Sequence, residues 1–176
     1  MRRAIILSQG RHQRRRIVMT KYSISEVIEM ALQTERLGFQ FYTTIAEKFR
    51  EQPELAKLFT TLASKEKVHE RTFSELQEKV ARNAPEPAQW EEVSDYMRAF
   101  VESEFFLGKG KSLPSMEGIK TPQDAVRFAM GFEKETLLYF MGLRSMVSEK
   151  AAVDAVIDEE KSHIVWLTRL QHSLKK

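Results

Sequence analysis

Apolar residues recur every three or four positions through most of this chain, and that period predicts four long amphipathic helices. The first stripe runs Ile24, Ile28, Ala31, Phe39, Tyr42, Ala46 and Phe49, and Glu35 falls inside it. Ser23 or Ser25 is placed to cap this helix, with Glu26 or Glu29 in its first turn, and Pro53 ends it. The second stripe, Leu55, Leu58, Phe59, Leu62, Phe73 and Leu76, predicts a helix over 54–81 in which Glu66 and His69 take two core-facing places. The connection between them is short, so the pair forms an antiparallel hairpin. The sequence NAPEP at 83–87 breaks the pattern. Trp90, Val93, Met97, Phe100 and Val101 then predict a helix over 88–106, followed by an aperiodic Gly-rich loop over 107–121. Thr121 caps a third helix, with Pro122 at its first position and Asp124 in its first turn. Its stripe is Val126, Ala129, Met130, Leu137, Phe140 and Leu143, with Glu133 inside, and it ends near residue 147. Ser148, Glu149 and Lys150 form a turn before a fourth helix over 151–173, striped by Val153, Val156, Leu167, Leu170 and Leu174 around Glu160 and His163.

The chain is therefore an internal repeat of two helical hairpins joined by a long crossover. Each hairpin carries a Glu on its first helix and Glu-x-x-His on its second: Glu35 with Glu66 and His69, then Glu133 with Glu160 and His163. A carboxylate and an imidazole three residues apart share one helix face, and in an apolar seam they are costly unless compensated. Two cations compensate all six at once. Glu66 and Glu160 are placed to bridge, Glu35 and Glu133 to act as terminal carboxylates, and His69 and His163 to give one nitrogen to each metal. Four carboxylates against two divalent ions leave the site neutral. Oxygen and nitrogen ligands without sulfur favour iron or manganese over a closed structural zinc. The pattern is that of four-helix di-iron carboxylate proteins. One Glu-x-x-His in so Glu-rich a chain is close to noise; two, each in register and each with a hairpin Glu, are not.

Composition narrows the chemistry. There are no cysteines, which excludes disulfides, iron–sulfur clusters and thiol catalysis and fits a cytoplasmic protein. No apolar run is long enough to span a bilayer. The net charge of +3 comes from six arginines within residues 1–18; the remainder holds 22 basic and 25 acidic residues. Residues 1–20 thus read as a disordered basic tail ahead of a single domain over 21–176, and the basic balance is weak support for a nucleic-acid partner.

The segments ERLGFQFY from Glu35, KEKVHE around Glu66 and His69, EKETLLYF from Glu133 and DEEKSH around Glu160 and His163 resemble the rubrerythrin branch of the ferritin-like superfamily. The resemblance covers about residues 24–170. It implies an all-α ferritin-like four-helix bundle of two hairpins with a crossover carrying an extra helix. It also implies two non-haem iron ions, with iron–manganese or di-manganese pairs needing nearly the same ligands, and reaction with hydrogen peroxide or dioxygen; some members oxidise ferrous iron. Two departures stand out. Rubrerythrins usually carry a further carboxylate three residues after the third-helix Glu, where this chain has Thr136, and Glu135 lies about 100° around the helix from it. They often add a cysteine-rich rubredoxin domain, so electrons here come from an external donor. Three functions follow: a di-iron oxidoreductase, a ferroxidase or iron-handling protein, and a non-enzymatic helical adaptor with a structural metal site.

Weaker candidates remain. Tyr42, seven residues after Glu35, is placed to hydrogen-bond a ligand carboxylate or to carry electrons, or simply to sit satisfied in the core. Glu102 and Glu104 offer spare carboxylates that read as solvent-facing. Met30, Met97, Met130, Met141 and Met146 read as gap-filling core or interface residues. The aromatic VESEFFLG stretch is read as packing a homodimer interface.

Overall fold

The computed structural model describes residues 23–83 and 116–175. Among these residues are four α-helices: α1 (Ile24–Lys48), α2 (Pro53–Asn83), α3 (Pro122–Met146) and α4 (Lys150–Ser173). A 3-10 turn, Met116–Gly118, precedes α3. The protein is an all-α four-helix bundle: α1 packs along α2, α3 along α4, and the two hairpins meet through α1 on α3 and α2 on α4. The predicted tail, the helix over 88–106, Met97, Glu102, Glu104 and the VESEFFLG stretch lie outside the described residues. No helix among the described residues is long and apolar enough to cross a membrane.

Both hairpins start from the same device. Ser23 accepts from the Glu26 N–H at 3.2 Å while Glu26 accepts from the Ser23 N–H at 2.7 Å. Thr121 and Asp124 repeat this at 3.1 and 3.0 Å. Each box satisfies two backbone donors that a helix start otherwise leaves unpaired. Pro53 and Pro122 open α2 and α3, where a missing N–H costs nothing.

Burial departs from the simple stripes at several positions. In α1, Phe39 and Ala46 are only half-buried, and Val27, Phe41 and Ile45 take the core places. The helix packs against both α2 and α3, so its buried face is wider than one stripe. Leu58, Met130, Leu137 and Leu174 are half-buried for similar reasons of position, at the edges of their stripes. Met141, read as core or interface, is 54% exposed on the bundle. Ile119, in the stretch expected to be loop, is fully buried, because a lone apolar residue in a connection has no period to betray it.

The core divides in two. One cluster joins the start of α1 (Val27, Ile28, Ala31) to Phe73 and Leu76 of α2, Tyr139 to Leu143 of α3 and Val153 to Ile157 of α4. The other joins Phe41, Tyr42 and Ile45 to Phe59 and Leu62, Val126 and Ala129, and Leu167. On every helix the predicted Glu or His residues fall between the two clusters. The polar layer is thereby sealed from water at both ends of the bundle. Tyr139 ties the hairpins together on one side, donating its hydroxyl to the Val27 carbonyl at 2.6 Å.

Candidate metal centre

All six predicted residues converge on this layer, and each is at most 1% exposed. They form two groups whose ligating atoms lie within 4.8 Å of one another: Glu35, Glu66, His69 and Glu160, and Glu66, Glu133, Glu160 and His163. Glu66 and Glu160 belong to both. Nδ1 of His69 lies 2.9 Å from Glu160 Oε1 and 3.5 Å from both Glu35 Oε2 and Glu66 Oε2. Nδ1 of His163 lies 3.3 Å from Glu133 Oε2 and from Glu160 Oε2, and 3.9 Å from Glu66 Oε1. The imidazoles are stacked, with centroids 5.5 Å apart.

These contacts are crowded but not satisfied. Both oxygens of Glu35, Glu66 and Glu160, both nitrogens of His69 and Nε2 of His163 are buried without a hydrogen bond. A single N–H cannot serve three carboxylates, and native interiors rarely leave so many polar atoms unpaired. The donor set is the one that hard divalent cations take, so the residues fit a metal pair.

The proton balance says the same. Burial, then the Glu66 charge, raises Glu35 well above the usual carboxylate range. Burial, then the Glu160 charge, pushes Glu133 up to about 8. Burial pulls the imidazoles down, but the carboxylates crowded against them override it. His69 is raised by Glu160, Glu35 and Glu66, and His163 to about 10 by Glu133 and Glu160. Glu160 is lowered: burial alone would raise it, and the close Glu133 carboxyl and both imidazoles win. Without metal, protons on Glu35, Glu133, His69 and His163 carry the positive charge that two divalent cations would supply.

Tyr42 reaches the site, and its hydroxyl donates to Glu133 Oε1. Burial, then the Glu133 charge, raises the phenol, so it remains a donor. Thr136 is buried, yet its hydroxyl turns back to the Phe132 carbonyl at 2.9 Å. Glu135 is only half-buried. The inward position one turn beyond Glu133 thus offers no carboxylate.

The fold also brings in residues that the stripe did not single out. Glu159, 38% exposed, has Oε2 at 3.5 Å from His69 Nε2 and at 2.9 Å from Lys65 Nζ. The Trp166 ring packs on His163 with centroids 5.4 Å apart. Their only signal in the sequence is adjacency to the ligand motif. Gly38 lets α1 approach: a Cβ there would stand 2.9 Å from the Phe132 ring and 3.2 Å from Glu66 Cγ. In Gly38→Ala, the helix-propensity gain of about 1 kcal/mol opposes an overpacking cost of about 1–3 kcal/mol. The apoprotein melt is expected to move little, while metal affinity drops because Glu66 is displaced; an unchanged affinity by calorimetry would count against this account of Gly38.

A crystal structure from Thermotoga maritima, described as a ferritin-like diiron-carboxylate protein, matches with a TM-score of 0.63 over 88% of this chain and 97% of its own, at 22% identity. At that identity the likeness is one of fold. Residues 26–108 match the rubrerythrin family model. Over that first part the chain is similar to rubrerythrins, and its fold is that of a ferritin-like protein. No curated protein matches it by sequence. The family match spans α1 and α2, hence Glu35, Glu66 and His69. The second hairpin, beyond the family match, supplies the other half of the buried Glu/His cluster, in the same register between the same two apolar clusters.

Proposed function

We propose that this protein is a non-haem di-iron oxidoreductase reacting with hydrogen peroxide or dioxygen, with Glu35, Glu66, His69, Glu133, Glu160 and His163 as its metal ligands. The observation that carries the reading is the pair of overlapping four-residue groups sharing Glu66 and Glu160. Two cations held a few ångströms apart need that sharing, since carboxylates between them screen their repulsion. A ferrous pair held there would supply two electrons to the oxidant.

The chain's own residues do the rest. Glu66 and Glu160 would contribute to both metal positions, and Glu35 and Glu133 would each serve one. The imidazoles direct Nδ1 inward and leave Nε2 outward. Tyr42 fixes Glu133 and keeps a phenolic proton at the edge of the site. Phe41, Tyr42, Phe59 and Phe132 on one side, and Phe73 against Phe140 on the other, exclude water and leave the carboxylates in a medium of low dielectric. Electrons to restore the reduced state come from an external donor.

Anaerobic loading with ferrous iron, then one equivalent of peroxide, tests this. Uptake of about two irons per chain is expected, oxidised together with a near-ultraviolet absorption of a ferric pair. Uptake below about one iron, or oxidation no faster than that of free ferrous iron, sinks the proposal. Tyr42→Phe removes a hydrogen bond to a buried carboxylate worth about 1.5–3 kcal/mol. It is expected to slow oxidation while iron stoichiometry holds, as measured by stopped-flow absorbance.

Thr136 favours a second reading, a ferroxidase that handles iron. Without a further carboxylate at that position, the six-residue set is the simpler one that ferrous oxidation requires. Continuous addition of ferrous iron under air separates the two: an iron handler oxidises many irons per chain and passes them on, whereas the oxidoreductase stops at its bound pair until reduced.

A further inference from the structure

Glu159 and the two imidazoles form a third group of ligating atoms, all within 4.8 Å of one another. Glu159 Oε2 stands 3.5 Å from His69 Nε2. That oxygen and the outward Nε2 atoms of both rings are buried and make no hydrogen bond. Unpaired buried polar atoms gathered at one place call for a partner, as those of the inner layer do. This group differs from the inner two in its access. The rings are at most 1% exposed, but the side chains of Glu159 and Lys65 are 38% and 37% exposed and pair with each other, Nζ lying 2.9 Å from Oε2. The apolar clusters close the polar layer toward both ends of the bundle. At this edge between α2 and α4, a side chain in contact with solvent also reaches the imidazoles.

We propose that Glu159, His69 and His163 form a third cation position, at the rim, which takes a first-row divalent ion from solvent and loads the buried pair. This rests on the di-metal reading above. Two imidazole nitrogens and one carboxylate suit iron, cobalt or zinc better than magnesium or calcium, which prefer oxygen alone. The same rings serve the rim and the interior through opposite nitrogens. In the empty protein Nδ1 of His69 faces Glu160 at 2.9 Å and Nδ1 of His163 faces Glu133 at 3.3 Å. Each ring therefore keeps a proton on Nδ1, and an arriving ion displaces the one on Nε2. Once Nδ1 binds an ion inside, the remaining ring proton belongs on Nε2, and the rim loses both nitrogens. Each ring carries one proton before and after the ion passes inward. The rim thus holds an ion only while the interior is empty, and two ions per chain remain the final stoichiometry. Lys65 stands in for the cation: its ammonium neutralises Glu159 in the empty protein and moves aside into solvent when the ion arrives.

The experiment mixes full-length apoprotein with cobalt(II) in the absence of oxygen and follows the visible absorption by stopped flow. Wild type is expected to show a fast phase whose rate rises with cobalt concentration, then a slower phase that is independent of it, ending at two ions per chain. Excess magnesium should leave the fast phase intact. Glu159→Gln removes the charged ligand of the rim alone. It should abolish the fast phase and slow filling about ten-fold or more, while the final two ions are retained. Lys65→Gln acts in the opposite sense: without the competing ammonium, the fast phase should saturate at several-fold lower cobalt. Single-phase filling in wild type, a fast phase that survives Glu159→Gln, or a Lys65→Gln variant whose fast phase does not tighten overturns the inference. Saturation of wild type below two ions overturns the di-metal reading itself, and the loading role with it.

Discussion

Replacing Glu66 with alanine is expected to lower metal uptake from about two ions per chain to less than one, while Glu35→Ala keeps about one. The difference follows from sharing. Glu35 belongs to one group of ligating atoms, and Glu66 belongs to both. Losing Glu35 takes one carboxylate from one position. Losing Glu66 takes one from each and removes a negative charge from between two cations. Breaking a buried charge pair costs about 3–5 kcal/mol, or roughly two to nearly four powers of ten in Kd at each affected position. Elemental analysis of the anaerobically loaded variants, with peroxide reactivity on the same samples, checks this. Equal losses from Glu35→Ala and Glu66→Ala would show that Glu66 is not shared.

The second large effect is an inversion of pH dependence by metal. Glu35, Glu133, His69 and His163 all bind their protons more tightly in the folded apoprotein than in the unfolded chain. Such groups stabilise the fold while protonated, and that contribution fades as pH rises through the folded values. For Glu133 the window runs from its ordinary 4.5 up to about 8, and for His163 from 6.5 to about 10. Both slopes overlap near neutrality. Glu160 acts in the opposite sense: its lowered value gives stability above 4.5 that is lost in acid. The apoprotein should therefore be most stable in mildly acidic solution and lose stability steadily toward pH 9. Divalent cations displace those protons, on the order of four per chain at neutral pH, so their affinity rises where the apoprotein weakens. A ligand at a thousand times its Kd adds about 4 kcal/mol per site, or roughly 8–16 °C in Tm for a chain of this size. Scanning calorimetry at pH 6 and 9, with and without manganese(II), reads both effects. An apoprotein Tm that rises between those values would contradict the proton balance described for the site.

The legibility of this protein differs from element to element. Helix α4 was readable almost residue by residue. Val153, Val156, Glu160, His163, Leu167 and Leu170 are all buried as their spacing predicts, with Ile157 the one addition. Helix α1 was less so: it lies against two neighbours, and Val27, Phe41 and Ile45 widened its buried face beyond the stripe. The two capping boxes were half-visible as Ser or Thr followed three residues later by an acid. Ile119 gave no sign, since nothing around it repeats. Gly38 looked like any helical glycine, and only the approach of Phe132 and Glu66 gives it a role.

Periodicity by itself determined the four described helices, the pairing into hairpins and the six buried polar residues. A Glu or His standing in an apolar seam is conspicuous at the level of spacing, and doing so twice in the same order singles out the set. What only the tertiary structure decided are relations between helices that no spacing encodes. The inward turn of both Nδ1 atoms and the choice of Glu133 as the partner of the Tyr42 hydroxyl depend on how α1 and α2 meet α3 and α4, whereas the sharing of Glu66 and Glu160 was already expected from the repeat. The meeting of Lys65 with Glu159 beside the imidazoles depends on that packing as well. A helix fixes which residues share its face through local backbone geometry. Which atom of that face finds a partner depends on distances across the bundle, and those are set by the packing of both apolar clusters together.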